Sequence, residues 1–295
     1  MKRLLFIVNP ISGGKDKAPL VALLRRCFDA SAFSCTFVYT ERAGHAVELA
    51  RDADADAVVA VGGDGTVSEV ATGLLGSDKA LGIIPCGSGD GLALHLGYSR
   101  NVRRAAATLA AFHTVCMDSA ALDGHPFFCT AGAGLDAEVA WAFAQSGRRG
   151  LANYVLQAWK TWRRFRPMPC TLTVDGRMAF SGDASIVTVG NTAQWGNNAL
   201  ITPSASVLDG ELDVTVVRPF RLWDGPALVW RLFRGTAGGS RKTLLLRGRE
   251  IVLQRGRPGA AHHDGEPCER GARLEFRVQP SSLKVIVPVS AQGRL

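Results

Sequence analysis

The sequence predicts two domains: an α/β domain built on a parallel sheet, followed by a mostly antiparallel β-sandwich. Three observations support this prediction. The 295 residues are enough for two ordinary domains. Residues 1–118 alternate apolar strand-like runs with helix-like segments, which is typical of a parallel sheet covered by helices. After residue 118 short strand-like runs dominate, as they do in antiparallel sandwiches and barrels.

The first predicted domain, residues 1–118, follows from its hydrophobic pattern. The run 57–61 is wholly apolar, as expected for a strand that helices cover on both faces. In chain order we predict strand 2–8, helix 18–28, strand 34–39, helix 44–51, strand 57–61, helix 66–75, strand 80–84, helix 90–96 and helix 101–111. Ligands of such sheets bind beyond the carboxyl ends of the strands, so the loops that follow the strands are the first candidates for a site.

The second predicted domain, residues 119–282, is rich in short strands. We predict strands at 126–130, 170–174, 184–189, 212–217, 243–246, 250–253 and 274–278, and helical segments within 135–165 and 223–234. The sequence leaves open to which domain a final strand at 283–287 belongs. It either completes this domain or, with the rest of segment 283–295, returns to the first one.

The cysteines and the apolar runs indicate the compartment. The seven cysteines are scattered, odd in number and never paired as C-x-x-C, which favours reduced thiols in a cytoplasmic protein over disulfides or a zinc site. The longest charge-free apolar stretches fall short of the roughly 18–20 residues of a membrane-spanning helix.

The net charge of +8 is unevenly distributed. Residues 139–174 hold six basic and no acidic residues, and residues 214–249 hold eight basic residues against Asp224 alone. Five of the six tryptophans lie in these two basic windows. Tryptophan among cations suits an anionic membrane surface, where each cation adds about 1 kcal/mol. The alternatives are buried tryptophans with solvated arginines, or nucleic acid, for which no recognised motif is present.

Three glycine-rich loops follow strands of the first domain. The first loop reads Asn-Pro-Ile-Ser-Gly-Gly-Lys at 9–15, the second Gly-Gly-Asp-Gly-Thr at 62–66, and the third Cys-Gly-Ser-Gly-Asp-Gly at 86–91. Successive backbone N–H groups at a helix start form an anion cradle. None of the loops fits the Walker pattern or the usual placement of G-x-G-x-x-G. They predict a polyphosphate ligand such as ATP, held without a Walker loop.

Carboxylates mark three further points. Asp64 lies inside the second loop, residues 209–213 read Asp-Gly-Glu-Leu-Asp, and residues 262–267 read His-His-Asp-Gly-Glu-Pro. Asp-Gly pairs are ordinary hairpin signals, and the alternative for an Asp between glycines is a turn or a helix cap. We interpret His262 and His263 as polar loop residues, because no further histidine stands at metal-ligand spacing.

In this order and spacing the loops resemble the diacylglycerol kinase catalytic domain, a family that includes bacterial lipid kinases and the sphingosine and ceramide kinases. The segments Gln-Trp-Gly-Asn-Asn-Ala at 194–199, Pro-Ser-Ala at 203–205, 209–213 and 264–267 are similar as well. The match spans nearly the whole chain, although the second loop alone is shared with NAD kinases.

The resemblance implies a three-layer nucleotide domain, a carboxy-terminal β domain, and ATP with Mg²⁺ in the cleft between them. It implies the following nucleotide contacts: Asn9, Ser12, Gly13, Lys15, Thr40, Gly62, Gly63, Asp64, Gly65, Thr66, Gly87 and Ser88. It implies a magnesium site at Ser206, Asp209 and the backbone of Glu211. Asp264 and Glu266 would supply the general base, with Glu266 the usual candidate. Asp64 would organise magnesium or, as in the sphingosine kinase branch, be the base itself.

The third loop departs from the family pattern at Asp90. Diacylglycerol kinases usually read Gly-Thr-x-Asn-Asp there, and sphingosine-kinase-like members read Gly-Ser-Gly-Asn. This chain is similar to the second group, but has an acid where asparagine is expected. An acid beside ATP phosphates weakens binding unless Mg²⁺ or a proton neutralises it. Alternatively, Asp90 replaces the carboxylate that diacylglycerol kinases carry one residue later.

We therefore expect an ATP-dependent lipid kinase that phosphorylates diacylglycerol or a sphingoid-type alcohol at an anionic membrane, to which it binds peripherally from the cytoplasm. A lipid hydroxyl has a pKa far above 7, so in-line attack on the γ-phosphoryl needs a carboxylate to accept its proton. The alternatives are an NAD kinase, and a lipid- or nucleotide-binding regulatory protein that has lost catalysis. A homodimer is also open, because edge strands could pair with a second chain.

Overall fold

The computed structural model describes residues 1–14, 16–147 and 151–291, so that Lys15, Arg148 and Arg149 lie outside the described residues. The chain divides into two compact units. The first unit comprises Met1–Asp118 and Pro280–Leu295, and the second comprises Ser119–Gln279. The chain thus passes from one unit to the other twice, each time within a strand.

The first unit alternates strands and helices. Its elements are β1 (Lys2–Val8), α1 (Ala18–Arg25), β2 (Phe33–Tyr39), α2 (His45–Arg51), β3 (Ala57–Gly62), α3 (Asp64–Leu74), β4 (Ala80–Pro85), α4 (Gly91–His95), α5 (Val102–Ala111) and the start of β5 (Thr114–Leu122). Strands β3 and β4 are buried along their whole length and contain no polar side chain. α2 packs on α3 and α1 on α5, and β4 contacts both α3 and α5.

The parallel sheet of the first unit places its loops at one edge. Its strand order is β2-β1-β3-β4, followed by the last part of β16 (Arg273–Ile286), and every neighbouring pair is parallel. Val61 is opposite both Val8 of β1 and Ile84 of β4. Because the three strands are in register, the three glycine loops leave the sheet side by side.

The second unit is mainly antiparallel. Its elements are β6 (His125–Phe127), β7 (Thr130–Gly134), α6 (Leu135–Gln145), α7 (Leu151–Arg164), β8 (Met168–Val174), β9 (Arg177–Ala184), β10 (Ile186–Gly190), β11 (Leu212–Val217), α8 (Gly225–Arg234), β12 (Thr243–Gly248), β13 (Glu250–Arg255), β14 (Gly259–His263), β15 (Glu266–Arg270) and the start of β16.

Two sheets enclose the core of the second unit. One has the order β12-β11-β10-β7-β14-β15, and the other runs from β16 through β13 and β8 to β9. Apolar side chains from both sheets form one buried cluster, which includes Phe127, Leu172, Val187, Val214 and Phe276. The predicted fold class, a parallel α/β domain with an antiparallel sandwich, is confirmed.

Several strands were not predicted, for identifiable reasons. β9 lies at a sheet edge, is largely exposed and carries Gly182, so it shows no hydrophobic run. β14 and β15 form a hairpin whose turn, Asp264 and Gly265, has φ values of +48° and +81°. The predicted strands 274–278 and 283–287 are parts of a single strand, β16, which continues through Pro280.

The interpretation of His262 and His263 as loop residues is wrong, because both lie in β14. His262 is buried in β14, which pairs with β7 on one side and β15 on the other. Its Nε2 lies 3.0 Å from Oδ2 of Asp136, and the Thr188 hydroxyl donates to the same oxygen at 3.0 Å. A histidine inside a sheet needs a polar partner, and Asp136 of α6 provides one, itself held by Thr188 of β10.

We predict that His95, the last residue of α4, makes stability fall at low pH. Burial lowers the pKa of His95 from near 6.5 to about 4. Between these two pH values the imidazole is protonated in the unfolded chain but stays neutral in the folded protein. The free energy of unfolding therefore falls between pH 6.5 and 4, by up to about 3 kcal/mol at about 1.4 kcal/mol per pKa unit. In urea unfolding, His95→Gln should flatten this slope and His125→Gln, at an exposed position, should not. Equal slopes in both variants would contradict the assignment.

Candidate functional site

The three glycine loops contact one another through their backbones. A Cβ on Gly13 would lie 2.5 Å from the carbonyl oxygen of Cys86, and one on Gly87 would lie 2.7 Å from the Cα of Gly63. Only glycine allows such approaches, and Gly13 also has a φ of +63°. The first and second loops are thus both packed on the third, and α3 begins within the second loop.

Polar side chains join the first and second loops. The Asn9 amide donates from Nδ2 to the Thr66 hydroxyl at 2.9 Å, and the Ser12 hydroxyl donates to the Asn9 carbonyl at 3.2 Å. The Asn9 N–H donates to Val61 at the end of β3, and the Thr40 N–H donates to Val8 at the end of β1. The predicted contacts of the first two loops are therefore neighbours, apart from Lys15, which lies outside the described residues.

Asp64 joins the second loop to the third. Its Oδ2 accepts from the N–H of Asp90 at 2.9 Å, and its Oδ1 accepts from the N–H of Gly91 at 2.6 Å. Burial raises the pKa of the Asp64 carboxyl above its ordinary value; these N–H groups oppose the rise, and the charge of Asp90 adds to it. Asp64 therefore holds the start of α4 against the second loop.

Asp90 forms an ion pair with Arg100, a cation that no sequence motif indicated. The Asp90 side chain is only 2% exposed, and its Oδ2 lies 3.0 Å from Nε of Arg100. Its Oδ1 accepts from the N–H of Gly87 at 2.8 Å, while Arg100 Nη2 donates to the carbonyls of Ser88 and Gly89. The acid at this position thus fixes the third loop from within, and Arg100 is its charge partner.

Lys17 brings a second unpredicted cation to the loops. It is 6% exposed, and its Nζ lies 3.7 Å from the position that a Cβ on Gly13 would take. Burial raises the pKa of the Cys86 thiol, and the positive charge of Lys17 opposes that rise. The ammonium group therefore lies beside the contact between the first and third loops.

In the second unit, the β14–β15 hairpin carries two of the predicted catalytic carboxylates in different settings. The Asp264 side chain accepts from the N–H of Cys129 at 2.7 Å and from the N–H of Phe128 at 3.0 Å. These bonds tie the hairpin turn to the chain just before β7. Glu266, the first residue of β15, is exposed. Of this pair, Asp264 is a structural clamp and Glu266 is the accessible carboxylate.

The predicted magnesium site contains a guanidinium group. Arg247 of β12 lies 3.3 Å from Asp209, 3.6 Å from Glu211 and 3.1 Å from Asp213. Burial raises the pKa of Asp213, whereas its hydrogen bond from Ser204 and the charge of Arg247 lower it. The three carboxylates share one arginine, so Asp209, the one predicted magnesium ligand that would bind through a carboxylate, already has a cationic partner. Among the residues that the structure describes, no group of three or more His, Cys, Asp or Glu side chains is placed to hold a metal ion.

The sequence offered different signals for these three cations. Arg247 is opposite Asp213 in the register of β11 and β12, so pairing the two predicted strands could have found it. Lys17 follows the first loop directly, where a cation near phosphates is useful. Arg100 lies beyond α4, and no spacing pattern connects it with Asp90.

We predict that Arg100→Met destabilises the protein by about 1–3 kcal/mol, because it leaves the buried Asp90 carboxylate without its ion pair. Adding Asp90→Asn to this variant should recover part of the loss, since the amide oxygen still accepts from Gly87. The free energies of unfolding of the two single variants and the double variant measure the coupling. Additive effects would contradict it.

We predict that the wild-type melting temperature is the same in EDTA and in Mg²⁺, because Arg247 supplies the cation of the 209–213 segment. Arg247→Met should lower the melting temperature and make it rise again when Mg²⁺ is added. Arg249→Met, which removes an exposed arginine two residues further on, is the control. A wild-type protein that loses stability in EDTA would contradict the assignment.

Comparison with protein families identifies both halves of the chain. The diacylglycerol kinase catalytic domain matches residues 3–122, and the YegS C-terminal NAD kinase beta sandwich-like domain matches residues 129–287. The two matched segments contain, respectively, the three glycine loops and the β14–β15 hairpin.

Individual relatives and solved structures support the same family assignment. The chain is 28% identical over 230 residues to a diacylglycerol kinase of Bacillus subtilis, covering 75% of this chain and 76% of the relative. A diacylglycerol kinase structure from Bacillus anthracis has a TM-score of 0.75 at 20% identity and covers 98% of both chains. An NAD kinase of Archaeoglobus fulgidus in complex with ATP has the same general fold, with a TM-score of 0.56, 12% identity and coverage of 99% and 98%. The chain therefore belongs to the diacylglycerol kinase family of lipid kinases.

Proposed function

We propose that the protein transfers the γ-phosphoryl group of Mg-ATP to the hydroxyl of a membrane lipid, either diacylglycerol or a sphingoid-type alcohol. The observation that carries this proposal is the contact of three glycine loops, backbone against backbone, at one edge of a parallel sheet. Such a surface offers N–H groups to phosphate oxygens and leaves no side chain in their way.

The nucleotide would be held mainly by the backbone. N–H groups of the three loops and the start of α3 face a bound anion favourably, since an α-helix carries partial positive charge at its amino terminus. Lys17 would supply the cation beside the β- and γ-phosphates, alone or with Lys15. Asn9, Ser12, Gly13, Thr40, Gly62 to Thr66, Gly87 and Ser88 complete the proposed contacts.

We assign the aspartates of the loops to holding their shape. Both oxygens of Asp64 and one oxygen of Asp90 accept backbone N–H groups, and the other oxygen of Asp90 pairs with Arg100. Magnesium would enter with ATP as part of the substrate complex. When bound, magnesium would neutralise phosphate charge. The predicted metal site at 209–213 is not needed for any step that we assign to protein residues.

Glu266 is our candidate for the general base. It would accept the proton of the lipid hydroxyl while the hydroxyl oxygen bonds to the γ-phosphorus and the bond to the leaving ADP oxygen breaks. The exposure of the side chains supports this choice over Asp64 and Asp264. Glu266 is exposed, whereas Asp64 and Asp264 are only partly exposed and hold neighbouring backbone segments in place.

The lipid acceptor follows from the family and from the charge distribution. Relatives named diacylglycerol kinase support diacylglycerol, and the Gly-Ser-Gly sequence of the third loop keeps a sphingoid alcohol among the candidates. We propose that the enzyme works at the cytoplasmic face of an anionic membrane, because an acceptor with long apolar chains stays in the bilayer. The tryptophan-rich basic windows suit that surface.

We predict that Glu266→Gln lowers the turnover number for lipid phosphorylation by about 10²–10⁴-fold without altering stability, because a glutamine cannot accept the proton. Transfer of labelled γ-phosphate to lipids in mixed micelles measures the effect. Glu269→Gln, on the exposed side of the same strand, is the matched control and should keep wild-type activity. Activity that survives Glu266→Gln but not Asp64→Asn would move the base to Asp64.

The same assay tests the substrate class. The acceptor panel holds diacylglycerol, monoacylglycerol, sphingosine and ceramide, with NAD as a water-soluble acceptor. Label in one of the lipids supports the proposal and names the acceptor. Label in NAD alone would overturn the lipid assignment, and ATP binding with no labelled acceptor would favour a regulatory binding protein.

A further inference from the structure

Helix α8 of the second unit has apolar side chains on two faces. Leu228 and Leu232, one turn apart, are half-buried, and the Leu232 carbonyl accepts from the N–H of Leu200 at 3.0 Å. Val229, Trp230 and Phe233 belong to the other face and are 52%, 57% and 55% exposed. One face attaches the helix to its unit, and the other is open.

Trp223, just before the helix, extends the open face. It is 71% exposed, and the helix has no fully buried residue along its length. We call Trp223, Val229, Trp230 and Phe233 the α8 face. A single exposed apolar side chain is ordinary, whereas four large ones within eleven residues form a patch of the kind that marks an interaction surface.

The charges around the α8 face indicate the kind of partner. The guanidinium of Arg221 lies over the Trp223 ring at 5.4 Å, and that of Arg234 lies over the Trp230 ring at 5.2 Å. Residues 218–242 hold six basic residues against Asp224. Indole rings with cations over their faces match the boundary between acyl chains and anionic headgroups, where the ring contacts the acyl chains and the cation meets phosphate.

We propose that the α8 face docks the protein on an anionic lipid surface, with Trp223, Trp230 and Phe233 entering the headgroup region and the surrounding arginines on the phosphates. A second copy of the chain fits this surface less well, because facing copies would bring like charges together. Among the described residues no helix is long and apolar enough to cross a bilayer.

This inference deepens the proposed function, since it names the surface on which the lipid acceptor would be met. It can nevertheless be tested without ATP or an acceptor. Failure of the kinase assay therefore leaves the docking result standing, and failure of docking leaves the assignment of the kinase reaction untouched.

The test is sedimentation with vesicles of phosphatidylcholine, with and without phosphatidylglycerol, on the full chain. We expect wild type to bind the anionic vesicles and to be released by salt. The triple variant Trp223→Ala, Trp230→Ala, Phe233→Ala should lose at least about tenfold in affinity, because it removes the apolar area that inserts. Met178→Ala, which removes a 73% exposed apolar side chain of β9, should bind like wild type.

A second variant locates the contact and keeps the fold intact. Replacing Trp223 and Trp230 by phenylalanine keeps most of the apolar area, so binding should persist. The blue shift of tryptophan fluorescence that vesicles cause in wild type should be largely lost, since the remaining tryptophans lie elsewhere.

Two results would overturn the proposal. In the first, the triple alanine variant binds anionic vesicles as tightly as wild type. In the second, sedimentation velocity shows a wild-type dimer that the triple variant turns into a monomer while vesicle binding stays unchanged. The α8 face would then be an interface between two copies.

Discussion

The carboxylate of Asp64, bound to two N–H groups of the third loop, is the interaction on which the candidate nucleotide site depends. It fixes the start of α4 against the start of α3, and so keeps the second and third loops at the short separation that their glycines permit. The cost of this arrangement is a buried carboxylate, because burial raises the pKa of Asp64. Backbone N–H groups offset that cost and leave the remaining amides of the loops available for an anion.

In both units, buried or partly buried acids are held by backbone N–H groups or by an arginine. Asp90 binds the backbone of its own loop and pairs with Arg100, and Asp264 binds the backbone before β7. Asp209 and its neighbours share Arg247. Apart from Asp90, which departs from the family pattern, these acids belong to motifs that the sequence shares with kinases, yet their visible role is to hold a loop in place. Glu266 is exposed at the start of β15, which leaves its carboxylate accessible.

Much of the fold could be predicted, because buried parallel strands such as β3 and β4 are continuous apolar runs. The edge strand β9 and the hairpin of β14 and β15 could not, because their residues are exposed or polar and their pairing is set by tertiary contacts. The glycine loops were found from their own sequence. The partners of the loop acids could not be found in this way. Arg100, for example, is ten residues beyond Asp90 and pairs with it only in the folded chain.

Hydrogen–deuterium exchange with and without Mg-ATP, in the absence of lipid, tests the central claim most directly, because it reports on the loop amides themselves. Our account predicts that ATP slows exchange at residues 62–66 and 86–91 and in the first loop around Gly13, with little change at the β14–β15 hairpin. ATP that binds without protecting these amides would contradict the account, since the phosphates would then lie somewhere other than against the three loops.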